Sequence, residues 1–228
     1  MPNYDESILR ARRIVGAAPF PALHQALRIA LYDEYAARAF YAKVIEAFGA
    51  QAPFARIVAA ESQHIAALAA LCERYGVPRP LDPFPTETTV APSWRINCER
   101  AVAGELATIE LYESLLPAVT ASDVRKTFLR WQSAALQRHL PAFQHAASLA
   151  AARENYHAAR GVAPSEAYAR HGPVSDFVER TLALLGRQHG AFGFVGPVLK
   201  AAHPALLAGI AGGSAAVVLA RKKLSSHS

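Results

Sequence analysis

Glu61 and His64 stand three residues apart within the alanine-rich run 54–75. On an α-helix that spacing projects both side chains from one face. Turned into a bundle core, such a pair makes half of a carboxylate-bridged metal site. Turned to solvent, it does nothing. A lone Glu-x-x-His is weak as a motif, so the rest of the chain has to decide. Two further glutamates, Glu34 and Glu105, are each followed seven residues later by a tyrosine, Tyr41 and Tyr112. Seven residues is two turns, so each Glu shares a face with its Tyr. Late in the chain His139 is preceded at three residues by Leu136, where a second Glu-x-x-His would carry its carboxylate.

A dinuclear carboxylate site takes one Glu from each of two helices and a Glu-x-x-His from each of the other two. This chain offers Glu34, Glu61, His64, Glu105 and His139, five of the six ligands, with Leu136 in the sixth place. Three buried carboxylates repel one another unless protonated or bound to cations, and metal binding resolves that most simply. Oxygen-rich ligation with two imidazoles suits iron or manganese better than structural zinc. The missing carboxylate should leave one of the two metal positions short, to be completed by Gln132 or water, or left empty. Gln132 precedes His139 by seven residues and so shares its face. Tyr41 and Tyr112 are expected to hydrogen-bond to ligands or to pack as aromatics. Asp33 is expected on the solvent side of Glu34, and Glu46, Glu73, Glu99, Glu110 and Glu113 on solvated faces.

Four long helices must position these groups. Asp5 to Ala17 predicts a short amphipathic helix on Ile8, Leu9, Ile14 and Val15. Ala22 to Phe48 repeats apolar residues at helical spacing, and Gly49 stops it. The next helix runs from after Pro53 to about Tyr75, ahead of Gly76 and Pro78. The proline-rich stretch 77–92 predicts a long extended connection without helix. A third helix spans about 93–116. A fourth opens at a Thr-Ala-Ser-Asp cap at 120–123 and continues to about Tyr156, kinked by Pro141, which frees the carbonyl of Gln137. Short, long and short links give an all-α, ferritin-like four-helix bundle with a long crossover between the second and third helices.

The segments Glu34-Tyr35-Ala36-Ala37-Arg38-Ala39-Phe40-Tyr41, Ala60-Glu61-Ser62-Gln63-His64-Ile65, Arg74-Tyr75-Gly76-Val77-Pro78, Glu105-Leu106-Ala107-Thr108, Leu111-Tyr112 and His139-Leu140-Pro141-Ala142-Phe143 resemble a prokaryotic ferritin-like domain family of uncharacterised function. The resemblance covers roughly residues 20–150. It implies a ferritin-like bundle of the ferritin and rubrerythrin superfamily with an iron or manganese site on Glu34, Glu61, His64, Glu105 and His139. It also implies that the absent carboxylate of the fourth helix is a family trait.

The boundaries expected are a helical extension over 1–20, the bundle over 21–156, a linker with an amphipathic helix over 157–189, and a Gly/Ala-rich apolar tail over 190–228. The 228 residues are 52% hydrophobic and 18% charged, with a net charge of +6. The pI is about 9.5 and the mean hydropathy +0.11. Scattered arginines read as a solvated surface, which argues against nucleic acid as partner. Cys72 and Cys98 have no metal or disulfide spacing, and the N-terminus lacks an apolar signal run, so a reducing cytoplasmic setting is expected. Residues 204–220 hold 17 apolar or small residues with a Gly209-x-x-x-Gly213 face before Arg221-Lys222-Lys223, a segment suited to membrane attachment or self-association in a homo-oligomer. The functional expectation is iron or manganese binding with metal oxidation or peroxide handling. The rival is a non-enzymatic bundle whose tail attaches it to a membrane or to its own copies.

Overall fold

The computed structural model describes residues 3–161 and Ala163; the expected segment 157–189 beyond residue 161, apart from Ala163, and the whole of 190–228, including the tail run 204–220, lie outside the described residues. Regular structure among the described residues is helical: α1 Glu6–Ala11, α2 Ala22–Phe48, α3 Phe54–Arg74, α4 Phe84–Glu87, α5 Trp94–Leu115, a 3-10 turn Leu116–Ala118, α6 Ser122–Ala134, a π-helical turn Ala135–His139, and α7 Leu140–Ala158. The last three run on as one long element, so the molecule is a bundle of four long helices. None of the described helices is long and apolar enough to cross a membrane.

Helix α2 begins and ends where its sequence signals place it. Gly49 takes a φ of 85° and its amide reaches the carbonyl of Ile45, closing a helix of 27 residues. At the end of α3, Gly76 adopts φ 63°, which a side chain would oppose. There the amide of Val77 returns to Cys72 O at 2.8 Å and that of Gly76 to Glu73 O at 3.2 Å, a two-bond closure of the last turn. Ser93 caps α5 through its hydroxyl, which accepts from the amide of Ile96.

Four local expectations are corrected. Helix α1 stops at Ala11 because Arg12 turns left-handed, with φ 54°. That conformation sends its guanidinium to Asp33 at 2.7 Å and to the carbonyl of Ala107, leaving Ile14 and Val15 to pack outside any helix. The proline-rich crossover contains the one-turn helix α4, with Pro85 in its first turn where a missing amide is harmless. At α6 the N-cap position is Ala121, without a side-chain cap. Asp123 instead accepts from Val124 N and binds Arg74 at 2.7 Å and the hydroxyl of Tyr75 at 2.6 Å, which ties the end of α3 to the start of α6. Finally, the disturbance expected at Pro141 is a π turn just before it. Pro141 has no amide for the carbonyl four residues back, and the chain widens by one residue per turn there.

The pairings define helix directions. Tyr41 of α2 meets Glu105 of α5, and Tyr112 of α5 meets Glu34 of α2, so these helices are antiparallel. Arg74 at the end of α3 meets Asp123 at the start of α6, and Phe54 at its start packs on Phe143 of α7, so this pair is antiparallel too. Helices α3 and α5 therefore point the same way, and residues 75–93 must run the length of the bundle between them. Along each helix the chemistry-bearing residues sit between two apolar zones. One holds Leu27, Leu31, Leu68, Leu115 and Phe128. The other is aromatic, with Phe54 packed on Tyr41, Trp94 and Phe143 at centroid distances of 5.7, 5.1 and 4.9 Å.

Arg28 is buried in α2 and holds the N-terminal segment and the crossover together. Its guanidinium donates twice to Asp5, at 2.6 and 2.5 Å, donates to Pro78 O, and lies 4.1 Å from the Tyr4 ring. Breaking a buried pair strands the remaining charge, at about 3–5 kcal/mol. Arg28→Ala should therefore lower unfolding free energy by about 3–5 kcal/mol in urea titrations. Adding Asp5→Ala should recover part of that loss, because the stranded carboxylate is then gone.

Candidate metal centre

The polar layer between the two apolar zones contains all five residues expected to act as ligands, and the structure brings their side chains together. Glu34, Glu61, Glu105 and His139 are buried, and His64 is partly so. Glu34, Glu61 and His64 form one group whose donor atoms lie within 4.8 Å of each other; Glu61, Glu105 and His139 form a second. Glu61 belongs to both by dividing its oxygens. Oε2 lies 3.0 Å from His64 Nδ1, and Oε1 lies 3.6 Å from His139 Nδ1. Each imidazole also faces its own terminal carboxylate, His64 Nδ1 at 3.3 Å from Glu34 and His139 Nδ1 at 3.5 Å from Glu105. The rings are near-parallel at 20°, with centroids 6.4 Å apart.

The tyrosines exchange partners across the bundle. Tyr112 donates to Glu34 Oε1 at 2.6 Å and Tyr41 donates to Glu105 Oε1 at 2.6 Å. Each terminal glutamate thus turns one oxygen to a tyrosine and the other to an imidazole, an approximate two-fold arrangement centred on Glu61.

Burial governs protonation here. Glu61 is pushed well above the usual carboxylate range by burial first, then by the charge of Glu34 and the hydrogen bond between them. Burial also pushes Glu34 upward, but hydrogen bonds with Glu61, His64 and Tyr112 outweigh it and its carboxyl ends below the ordinary value. Burial and the charge of Glu34 thus favour the neutral form of Glu61, and the hydrogen bonds around Glu34 favour its charged form. Both tyrosine hydroxyls are driven far upward, by burial and then by the neighbouring carboxylates, and stay protonated donors. The thiols of Cys72 and Cys98 are pushed up to about 11 and about 12, chiefly by burial, and both are free.

Three expectations change at this site. Asp33 does not take the solvent side. Its side chain is only 12% exposed, bound to Arg12 at 2.7 Å and accepting from the Thr108 hydroxyl at 3.1 Å. Burial raises it to about 6 against the pull of Arg12. Gln132 donates its amide to Ile109 O at 3.2 Å and is not among the residues that line the site's cavity. The absent sixth carboxylate does not single out one half of the site either. Glu61 gives one oxygen to each side, so both groups keep one terminal Glu, one His and half of the bridge.

The π turn also relocates the vacancy. Leu136 is 40% exposed while His139 is 7% exposed. In a π turn, residues four apart, not three, come closest to sharing a face, and Ala135 is the residue that lines the cavity with His139. A motif search for Glu-x-x-His reads the wrong position here. Sequence reading also missed Trp131, whose ring lies 4.5 Å from that of His64. Regular spacing from His139 points to Gln132, seven residues back; the extra residue of the π turn brings Trp131, eight back, to the cavity instead.

No protein-family model matches this chain, and no curated protein matches its sequence. Among solved structures it is similar to a hypothetical protein, MJ0754, from Methanococcus jannaschii DSM 2661, with a TM-score of 0.48 and 16% identity over 68% of this chain and 94% of that one.

The vacancy can be probed from both positions. Leu136→Glu should alter stability by no more than about 0.5 kcal/mol and leave metal uptake unchanged, as expected for a surface site. Ala135→Glu should destabilise the metal-free protein by about 1–3 kcal/mol, through an added buried carboxyl, and manganese should reverse that loss in thermal melts.

Proposed function

We propose that this chain is a ferritin-like metal-binding protein whose centre holds two iron or manganese ions through Glu34, Glu61, His64, Glu105 and His139. The observation that carries the proposal is the set of separations between unlike donors. For metal–ligand bonds of about 2.1 Å, adjacent ligands lie about 3.0–3.4 Å apart in octahedral or tetrahedral geometry. The four imidazole-to-carboxylate distances, 3.0, 3.3, 3.5 and 3.6 Å, fall on or close to that spacing. The cavity at the centre is about 10 Å³, room for one small atom, so the donors already crowd the space that ions would share. The antiparallel hairpins and the crossover running the bundle's length support the ferritin-like assignment.

Three carboxylates and two imidazoles carry no thiolate, a donor set for hard or borderline ions, and each half offers three protein ligands. Open coordination positions are what oxidation or peroxide chemistry at such ions requires, so the reaction class proposed is metal oxidation or peroxide handling. The chain's own residues act by holding charge. Glu61 gives up its proton and bridges. Tyr41 and Tyr112 orient the terminal carboxylates, and the apolar zones on either side exclude water.

A second reading has one observation in its favour: among the described residues, no fully buried side-chain polar atom of the constellation is left without a hydrogen-bond partner in the absence of an ion. On that reading the layer is a structural core. Metal analysis separates the two. The purified protein reconstituted with Fe(II) or Mn(II) should retain about two ions per chain and melt at a higher temperature, by mass action on the folded state. Glu61→Gln preserves the neutral, protonated form of this side chain, so the metal-free variant should be as stable as the parent while losing the metal-induced shift. Ions must displace the Glu61 proton, so uptake should weaken as pH falls. Retention of no ion by the parent, with Glu61→Ala behaving identically, would leave the structural reading standing.

A further inference from the structure

His64 and His139 face two spaces. They line the small cavity inside the polar layer, and they also line an open groove of about 940 Å³ between α3 and the α6–α7 element. Helix α3 packs closely on α2, and α7 on α5, while α3 and α7 meet at Phe54 and Phe143 and otherwise leave this groove between them. Its polar rim is cationic. Arg56, Arg130, Arg138, His145 and the neutral Gln63 line it, all exposed, and no Asp or Glu does. Most arginines of the bundle are committed elsewhere, such as Arg12 to Asp33, Arg28 to Asp5, Arg38 to Asp82 and Arg74 to Asp123. Among the described residues, Arg56, Arg130 and Arg138 have no ion-pair or hydrogen-bond partner. The rest of the wall is apolar and small, with Ile57, Ala60, Ala142, Ala146 and Leu149.

The volume lies within the range of small-molecule sites, roughly 300–1,000 Å³. Unpaired guanidiniums along a cleft repel free cations and draw in anions, and their planar fork matches a carboxylate in two parallel bonds. Ala146 and Leu149 follow Arg138 on the same element by eight and eleven residues, about 12 and 16 Å along it, so an extended chain of about that length fits between the guanidinium and Leu149. The groove is therefore a poor entrance for bare metal ions and a good receptor for an acid with an apolar body.

We propose that this groove binds a medium-length aliphatic carboxylate, with its acid group on the arginines and its chain along Ile57, Ala146 and Leu149. That the bound acid group lies near metal ions rests on the metal reading above; the groove itself rests on its own residues.

Titration calorimetry with decanoate tests this on the full chain, metal-free and manganese-loaded, with 1-decanol and inorganic phosphate as the neutral and headgroup-only controls. Saturable decanoate binding is expected, at least tenfold tighter than either control and weakened by salt. Arg56→Gln combined with Arg138→Gln, both exposed positions, should weaken it at least tenfold without moving the melting temperature. Decanoate binding to a parent that takes up no metal supports the groove and removes the metal reading. Absence of saturable binding in both forms overturns the groove proposal even where metal is retained. So does equal binding of decanol or phosphate, or an arginine variant that binds like the parent.

Discussion

Placing three carboxylates in the interior of a helical bundle is the constraint on which the rest of this structure depends. Isolated buried charge costs far more than a small domain's whole stability, so each carboxylate must be answered by a proton, a donor or a cation. The molecule uses protons and donors with little redundancy. Burial and the charge of Glu34 favour the neutral form of Glu61, two tyrosines each donate to a terminal glutamate, and two imidazoles face the remaining oxygens. These answers come from four different helices. The polar layer can therefore form only when both hairpins are assembled, which couples the site to the tertiary fold more tightly than any single apolar contact does.

The elements that carry these groups were readable in the sequence to the extent that local chemistry writes them. Ala22–Phe48 and Phe54–Arg74 match their periodicity and their glycine stops, because a residue free to take positive φ is a signal contained within a few positions. The five donor residues were readable for the same reason, since helical spacing alone puts Glu34 with Tyr41 and Glu61 with His64. Where reading failed, a distant partner had decided the local geometry. Arg12 turned left-handed to reach Asp33 on another helix, and Asp123 left its cap to hold Arg74 and Tyr75. Neither partner is visible from sequence neighbours.

The π turn is a more instructive failure. A regular helix would align Leu136 with His139, but one extra residue in the turn rotates every later side chain relative to the earlier ones. The turn exposes Leu136, leaves Ala135 facing the site and still delivers His139 to Glu105. Pro141 accounts for why the ladder loosens there, since it removes an amide just downstream. The groove follows from the same region. Arg138 and His139 are consecutive and face outward and inward, so the turn that aims an imidazole at the centre also sets a guanidinium on the rim.

The crossed tyrosine bonds have a mechanical consequence. Two attachments seven residues apart, about 10 Å along the axis, join α2 to α5 at two points instead of one. A single attachment would act as a pivot about which the helices could rock; two remove that freedom and lock the sliding register between them. The distance between the outer carboxylates is then a property of the scaffold and not of whatever lies between them. Of the three carboxylates, Glu61 alone, on a third helix, is outside this brace. The carboxylate between the outer two is the one free to swing, so the bundle behaves as a caliper whose outer jaws are fixed.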